Sequence, residues 1–365
     1  MTRLATLAVS AGLAMLLPAC GGLGAGTRVV ARGEAAAAPG EPCHAALFTR
    51  QVLRLDRPRA LAVDTACNLF VADLLENRVL RVTPAGAVNV LAGGGRMRAL
   101  DGALAAQVRI GTPESLAVDA QGNVYIGTDE ARVLRVSPNG LLRTVAGSGQ
   151  CGPDEPPAGP ALQAAICRPA ALALDATGNL LIADAGNRYL SRVSADGTIA
   201  TLAGNGERPS AGDGGPATAA AIGDPGGLAV GAGGVVFWSD GYSSSVRAVT
   251  ADGTVRTVAG GGAPAPGESA AELSPQGLAL DAAGSLYVAD DVNSRVRRVT
   301  TDGQLVTVAG TGLPGLRGDH GPATAAALNL PSAIAFDRSG SLYIADTGND
   351  RLRRVSTAGI ISTVN

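Results

Sequence analysis

From residue 58 onward the chain's apolar residues fall in short runs of Val, Leu, Ile and Ala, broken by Asp-Gly, Gly-Asn and Pro. Such runs between turn residues predict many short strands joined tightly. The runs also repeat. A pattern Pro-x-x-[Leu/Ile]-Ala-[Val/Leu/Phe] starts at Pro58, Pro113, Pro169, Pro225, Pro275 and Pro331, spaced by 55, 56, 56, 50 and 56 residues. Each copy continues through Asp64, Asp119, Asp175, Gly231, Asp281 or Asp337. A second run follows, ending at Asp73, Thr128, Asp184, Asp240, Asp290 or Asp346, then a third such as "RVLRV" or "RVRRV", and a fourth such as "LLRTVAG" or "QLVTVAG". One unit of four strands is therefore written six times.

A four-stranded sheet alone exposes two apolar faces, and radial packing of such sheets buries both. Six units predict an all-β fold: a closed, six-bladed β-propeller of four-stranded antiparallel blades, with short helical turns in the connectors. The blades lie near 56–95, 111–149, 167–206, 224–262, 273–312 and 330–365. A solenoid needs a much shorter period, and two three-unit domains need a linker the sequence lacks. Small Ala belongs where inner strands crowd the axis. Phe70, Tyr125, Leu181, Phe237, Tyr287 and Tyr343, at one equivalent position of the second strand, are expected to fill space between blades, and Trp238 to be a core filler.

The first residues have another character. Arg3, an apolar stretch from Leu4 to Leu17 and then "LPAC" make a secretory signal, too short for a membrane span. The segment resembles a bacterial lipoprotein signal over residues 1–19, which implies a lipidated Cys20 followed by a Gly-, Ala- and Pro-rich flexible tether over 20–55. The expected location is a bacterial cell envelope, periplasm or outer surface, with lipid at Cys20 as the sole membrane contact. Four cysteines remain, an even number suited to an oxidising compartment. Proximity favours Cys43 with Cys67 and Cys151 with Cys167, with free thiols and two other pairings as alternatives.

Charge adds an exclusion. Lysine is absent, and 29 basic against 31 acidic residues leave a net charge of -2, with only ten aromatic residues. A phosphate backbone finds no general attraction here and bases find few ring faces, so no nucleic-acid partner is expected.

The repeat "P-x-x-LAVD-xx-GN-x-Y-I-AD…N-x-R-xx-RV-xxx-G…TVAG" resembles the NHL repeat. The connectors "GDGGPATAA" at 212 and "GDHGPATAA" at 318 are similar to those of bacterial secreted NHL lipoproteins and the NHL propeller of teneurins. The resemblance spans 56–365 and implies a propeller; NHL propellers serve as binding modules, as sensors and, in a few cases, as enzymes.

Residues present in most copies read as scaffold. The turn aspartates bond turn amides, and Asp290 with Asn293 and Arg295, like Asp346 with Asn349 and Arg351, is expected to brace a blade. A site needs asymmetry. The residue after each blade-opening Pro is expected at the channel mouth, on the face that carries the long loops, and there the copies differ: Arg59, Glu114, Ala170, Gly226, Gln276 and Ser332. Arg59, Glu114, Gln276 and Ser332 are the candidate ligand-binding residues. His44 precedes the first blade and His320 lies in a connector, no nucleophile elbow or phosphate loop occurs, and a lone Asp213 or Asp319 falls short of a calcium site. No metal, cofactor or catalytic residue is expected, and the chain is read as no enzyme: it is expected to be a monomer serving as a scaffold for a protein, peptide, ligand or envelope component. The alternatives are a hydrolase or lyase with a metal-assisted site in the channel, and an extracytoplasmic sensor subunit.

Overall fold

The structure, a computed structural model, describes residue 43 and residues 53–152, 156–261 and 273–364. Cys20, the signal segment, His44 and most of the tether lie outside the described residues.

Six antiparallel sheets of consecutive strands radiate from a common axis, so the fold is the all-β six-bladed propeller its repeats predict. The inner strands are Pro58–Val63, Pro113–Val118, Pro169–Leu174, Pro225–Val230, Pro275–Leu280 and Pro331–Phe336. The fourth strands of the blades are Val88–Gly93, Leu142–Ala146, Thr198–Ala203, Val255–Gly260, Leu305–Ala309 and Ile361–Val364. Helix among the described residues is confined to short 3-10 turns, and no helix there is long and apolar enough to cross a membrane.

Blades pack large against small. Ala60, Ala62 and Ala72 of blade 1 receive Leu116, Ile126 and Leu134 of blade 2, and Leu61, Val71 and Leu80 on the opposite face of blade 1 meet Ala333 and Ala345 of blade 6. Alanine thus serves the seam with the next blade, where interdigitation needs a small partner for each Leu. Phe70 and Tyr343 fill such seams as expected. Trp238 is fully buried against blade 3, with the Arg247 guanidinium 5.3 Å from its ring centre.

Connectors protect edges. After leaving one blade, the connector crosses the outer strand of the next and pairs with it: Leu104 with Leu141, Pro216 with Thr254, Pro322 with Ile360, and Ala158–Pro160 as a fifth strand on Thr198–Ala200. Each then makes one 3-10 turn, and its first alanine (Ala105, Ala161, Ala217 or Ala323) is buried. Covered edges offer no template for pairing with another chain.

The disulfides join Cys43 to Cys67 and Cys151 to Cys167, the proximal pairing. Both fit an oxidising, extracytoplasmic environment. Cys67 occupies the positive-φ turn position that Gly122, Gly178, Gly284 and Gly340 take in other blades, so a sulfur stands there in place of the residue the turn favours.

Candidate functional site

Each inner strand begins with a proline and immediately breaks register with its neighbour. Pro58 pairs with Asp73 but Ala60 with Ala72, leaving Arg59 unpaired, and the same irregularity recurs after Pro113, Pro169, Pro225, Pro275 and Pro331. A β-bulge of this kind re-aims the side chain of the extra residue. Six such residues thereby form a ring at one end of the axis.

That ring crowns a central cavity of ≈ 370 Å³, inside the range of roughly 300–1,000 Å³ common to small-molecule sites. Arg59, Glu114, Ala170, Gly226, Gln276 and Ser332 all line it. Arg59 donates through Nη2 to Gln276 Oε1 at 3.3 Å. Burial lowers the Arg59 pKa from its ordinary value; Glu114 and Asp291 oppose that and Arg168 adds to it. Glu114 accepts Arg168 Nε at 3.0 Å. Arg168, the residue before the blade-opening Pro169, is not among the candidates that sequence reasoning singles out. The column of residues before each proline, Arg57, Thr112, Arg168, Asp224, Ser274 and Leu330, carries the signal, since it varies as the mouth ring does.

Ser332 lines the cavity, but its hydroxyl is engaged at the seam where the last blade meets the first. It lies 3.0 Å from the Arg59 carbonyl oxygen and 2.6 Å from Thr347 Oγ1. Gly226 and Ala170 leave one side of the mouth open and uncharged. The polar arc is therefore Gln276, Arg59, Glu114 and Arg168.

A buried carboxylate supports five of the six bulges from behind. Asp73, Asp184, Asp240, Asp290 and Asp346 accept backbone amides just ahead of the blade-opening proline: Asp56 at 2.7 Å, Arg168 at 2.9 Å, Asp224 at 3.2 Å, Ser274 at 2.8 Å and Asn329 at 2.7 Å. Blade 2 has Thr128 at that place and Asp129 takes over, accepting Thr112 N at 2.7 Å. Asn293 and Asn349 bond Asp290 and Asp346 as expected, at 2.7 and 2.8 Å. The arginines do not. Arg297 and Arg353, two residues further along the same face of the strand, reach Asp290 and Asp346 diagonally at 3.1 and 3.2 Å, although Arg295 and Arg351 stand directly opposite those carboxylates in the ladder. Arg295 and Arg351 bond the carbonyls of Thr311 and Asp350 instead.

The repeated connector aspartates also find partners. Asp213 accepts Arg247 Nη2 at 2.6 Å and Thr257 N at 2.7 Å, and Asp319 accepts Arg353 Nη2 at 2.8 Å. They clasp the connector to the next blade. His320 is exposed in its connector, away from the channel.

Comparison with known proteins extends the picture. A family model described as "Strictosidine synthase-like, N-terminal" matches residues 101–136. No curated protein matches the chain. Among solved structures it is similar to a streptogramin B lyase, with 13% identity, 87% of this chain and 85% of that one covered and a TM-score of 0.53. A gluconolactonase from Xanthomonas campestris is similar at 18% identity, 80% and 83% coverage and a TM-score of 0.53. A structure of a nidogen/laminin complex is similar at 16% identity, 80% and 89% coverage and a TM-score of 0.53. These likenesses place the chain among six-bladed propellers. They also correct the expectation that it is no enzyme: propellers of this shape include a lyase and a gluconolactonase, so scarce histidine and missing triad motifs do not exclude catalysis.

Proposed function

We propose that the chain is an extracytoplasmic propeller of the NHL type, anchored by lipid at Cys20, that binds a small molecule or peptide end at the channel mouth. The observation that carries this reading is the asymmetry of the bulge ring: most of every blade is scaffold repeated with similar residues, yet Arg59, Glu114 and Gln276 differ at one structural position above one cavity. Rigid strands place these side chains and the loops around them supply variation, the usual division of labour at a binding site.

A second reading, a hydrolase or lyase acting at the same mouth, draws its support from the lyase and gluconolactonase that share the fold. Arg59 and Gln276 would then hold substrate while the Glu114 carboxylate, fixed by Arg168, stands on the same arc. Both readings use one site.

The test is native mass spectrometry on protein purified from its own envelope. Unaltered protein is expected to carry a small adduct, and Ala170→Trp, which plugs the open side of the mouth, to lack it. An identical spectrum for the two sinks the site. Conversion of the adduct on standing selects the second reading.

A further inference from the structure

If the channel mouth is the binding site proposed above, the groups left without partners there narrow what it takes. Arg78, Arg247, Arg297 and Arg353 each pair with a carboxylate. Arg59 differs. It is half-buried, its side-chain bond goes to the neutral Gln276 amide, and among the described residues no carboxylate lies within 4.0 Å of its guanidinium. The carboxylates around it are committed elsewhere: Glu114 to Arg168, and Asp291 to the Ser274 hydroxyl at 2.6 Å. A guanidinium has five donors in a planar fork suited to a carboxylate or phosphate, and partial burial strengthens such a pair. Gln276, whose oxygen receives Arg59, keeps its amide NH2 to donate to the same anion.

Below the mouth the channel wall is backbone. Each inner strand is the end strand of its sheet, so one of its edges has no neighbouring strand. The turn at its foot decides which groups lie on that edge. Asp64 N donates to the Asn68 carbonyl, and Asp119, Asp175, Gly231, Asp281 and Asp337 make the same bond in the other blades. Bonded and non-bonded pairs alternate along an antiparallel ladder, so Ala62 and Ala60 bond the second strand while Leu61 and Val63 turn their N–H and C=O toward the axis. Leu116, Leu172, Leu228, Leu278 and Ile334 repeat the place of Leu61. All six side chains pack into the seams between blades, so the 5–8% of each residue left exposed is backbone on the channel. Among the described residues these amides and carbonyls find no partner in any ladder.

Such groups must be bonded by water or by a ligand. A ligand that displaces the water without replacing its bonds loses affinity. An alkyl body cannot replace them; a hydroxyl, which both donates and accepts, matches a wall of alternating N–H and C=O. Arg59 and Glu114 are the only charged residues of the lining, among the described residues, and Glu114 has its partner in Arg168. One anionic group and a body rich in hydroxyls meet both demands.

We propose that the mouth binds a small polyhydroxylated anion, its carboxylate or phosphate monoester held by Arg59 and Gln276 and its hydroxyls bonded to the free backbone edges of the inner strands.

The experiment is calorimetric titration of the protein with ribonate, ribitol 5-phosphate, ribitol and pentanoate. Ribonate, ribitol 5-phosphate or both should bind one to one, the stronger of the two identifying the anionic group. Ribitol lacks the charge and pentanoate lacks the hydroxyls on a carbon chain of the same length, and each should bind about tenfold more weakly or worse. Arg59→Gln should weaken the anion by a similar factor with an unchanged melting temperature, and Arg59→Lys should keep part of the affinity. Ribitol or pentanoate binding as tightly as the better anion, indifference to Arg59→Gln, or no saturable binding of either anion overturns the proposal. An adduct that Ala170→Trp expels, together with no binding of these probes, would leave the site standing and remove the polyhydroxylated anion; absence of both removes both.

Discussion

Single carboxylates in this fold do opposite things according to where the chain puts them. Burial raises Asp73 and Asp346 above the usual carboxylate range despite their hydrogen bonds. Burial also pushes Asp213 and Asp319 upward, but there the bonds from Arg247 and Thr257, and from Arg353 and Thr363, win and leave both below it. The signs follow. A lowered native pKa gives stability that is present above the unfolded value, about 3.9, and lost as pH falls through the native value. A raised one gives stability present below the unfolded value and lost as pH rises through the native value. Asp213→Asn with Asp319→Asn should therefore lower the unfolding free energy at pH 7 by about 1 kcal/mol per site, after discounting for the exposure of both carboxylates, and the melting temperature with it. The deficit should shrink as the solution is acidified from about pH 5 to about pH 2, the window in which such carboxylates take up protons. A deficit constant over that range would show that the clasps act without their charge. None of this was legible from "GDGGPATAA": the spacing marks a joint, but the partners Arg247 and Arg353 lie 34 residues downstream and are brought there only by the sheet.

At the scale of the strand, what the sequence conveyed best was what repeats. Proline, the Asp-x-x-Gly turn and the alternating apolar runs each fix local geometry, so strand order and turn positions could be read directly. The bulge after each proline escaped because it is a relation between two strands, and Arg168 escaped with it. A second relation was hidden the same way. Two positions facing each other across the first and second strands hold Ala60 and Ala72, Ala171 and Ala183, and Ala333 and Ala345 in three blades. Blade 2 has Ser115 opposite Gly127, with the Ser115 hydroxyl donating to the Pro169 carbonyl at 2.6 Å. Blade 4 has them reversed: Ser239 Oγ accepts Gly227 N at 2.6 Å. In these five blades the pair carries two side-chain heavy atoms while the bulk changes strands; blade 5, with Gly277 and Ala289, carries one. Gly127→Ala should accordingly cost about 1–3 kcal/mol, since its Cβ would stand 2.2 Å from Ser115 Oγ. Ser115→Ala with Gly127→Ala, which copies blades 1, 3 and 6, should recover part of that loss. Denaturant midpoints of the two single variants and the double close the cycle, and strict additivity would deny the pairing.

The whole ring raises the question of how its ends meet. Among the described residues every blade is one continuous stretch of chain, so no strand from one terminus completes the blade of the other. Closure rests on side chains. Leu53, Leu55 and Leu61 pack with Tyr343, Leu352 and Val364, Thr347 Oγ1 donates to the Pro58 carbonyl at 2.6 Å, and Arg57 N donates to Asp350 Oδ1 at 2.9 Å. The Pro58 carbonyl belongs to the bulge that aims Arg59, so the seam and the mouth share a backbone segment. Thr347→Val removes a hydroxyl while keeping its shape, and leaves a carbonyl with one partner fewer. Together with Asp350→Ala it should cost about 1–3 kcal/mol, two hydrogen bonds at the usual net value of each. If the ring is one cooperative body, the whole loss appears as a shifted urea midpoint with the slope unchanged. If the seam opens on its own, blade 1 melts ahead of the rest and the slope falls. The second result would mean that six blades packed by volume still need a bond at the join, and that Arg59 is held in place only while the ring is shut.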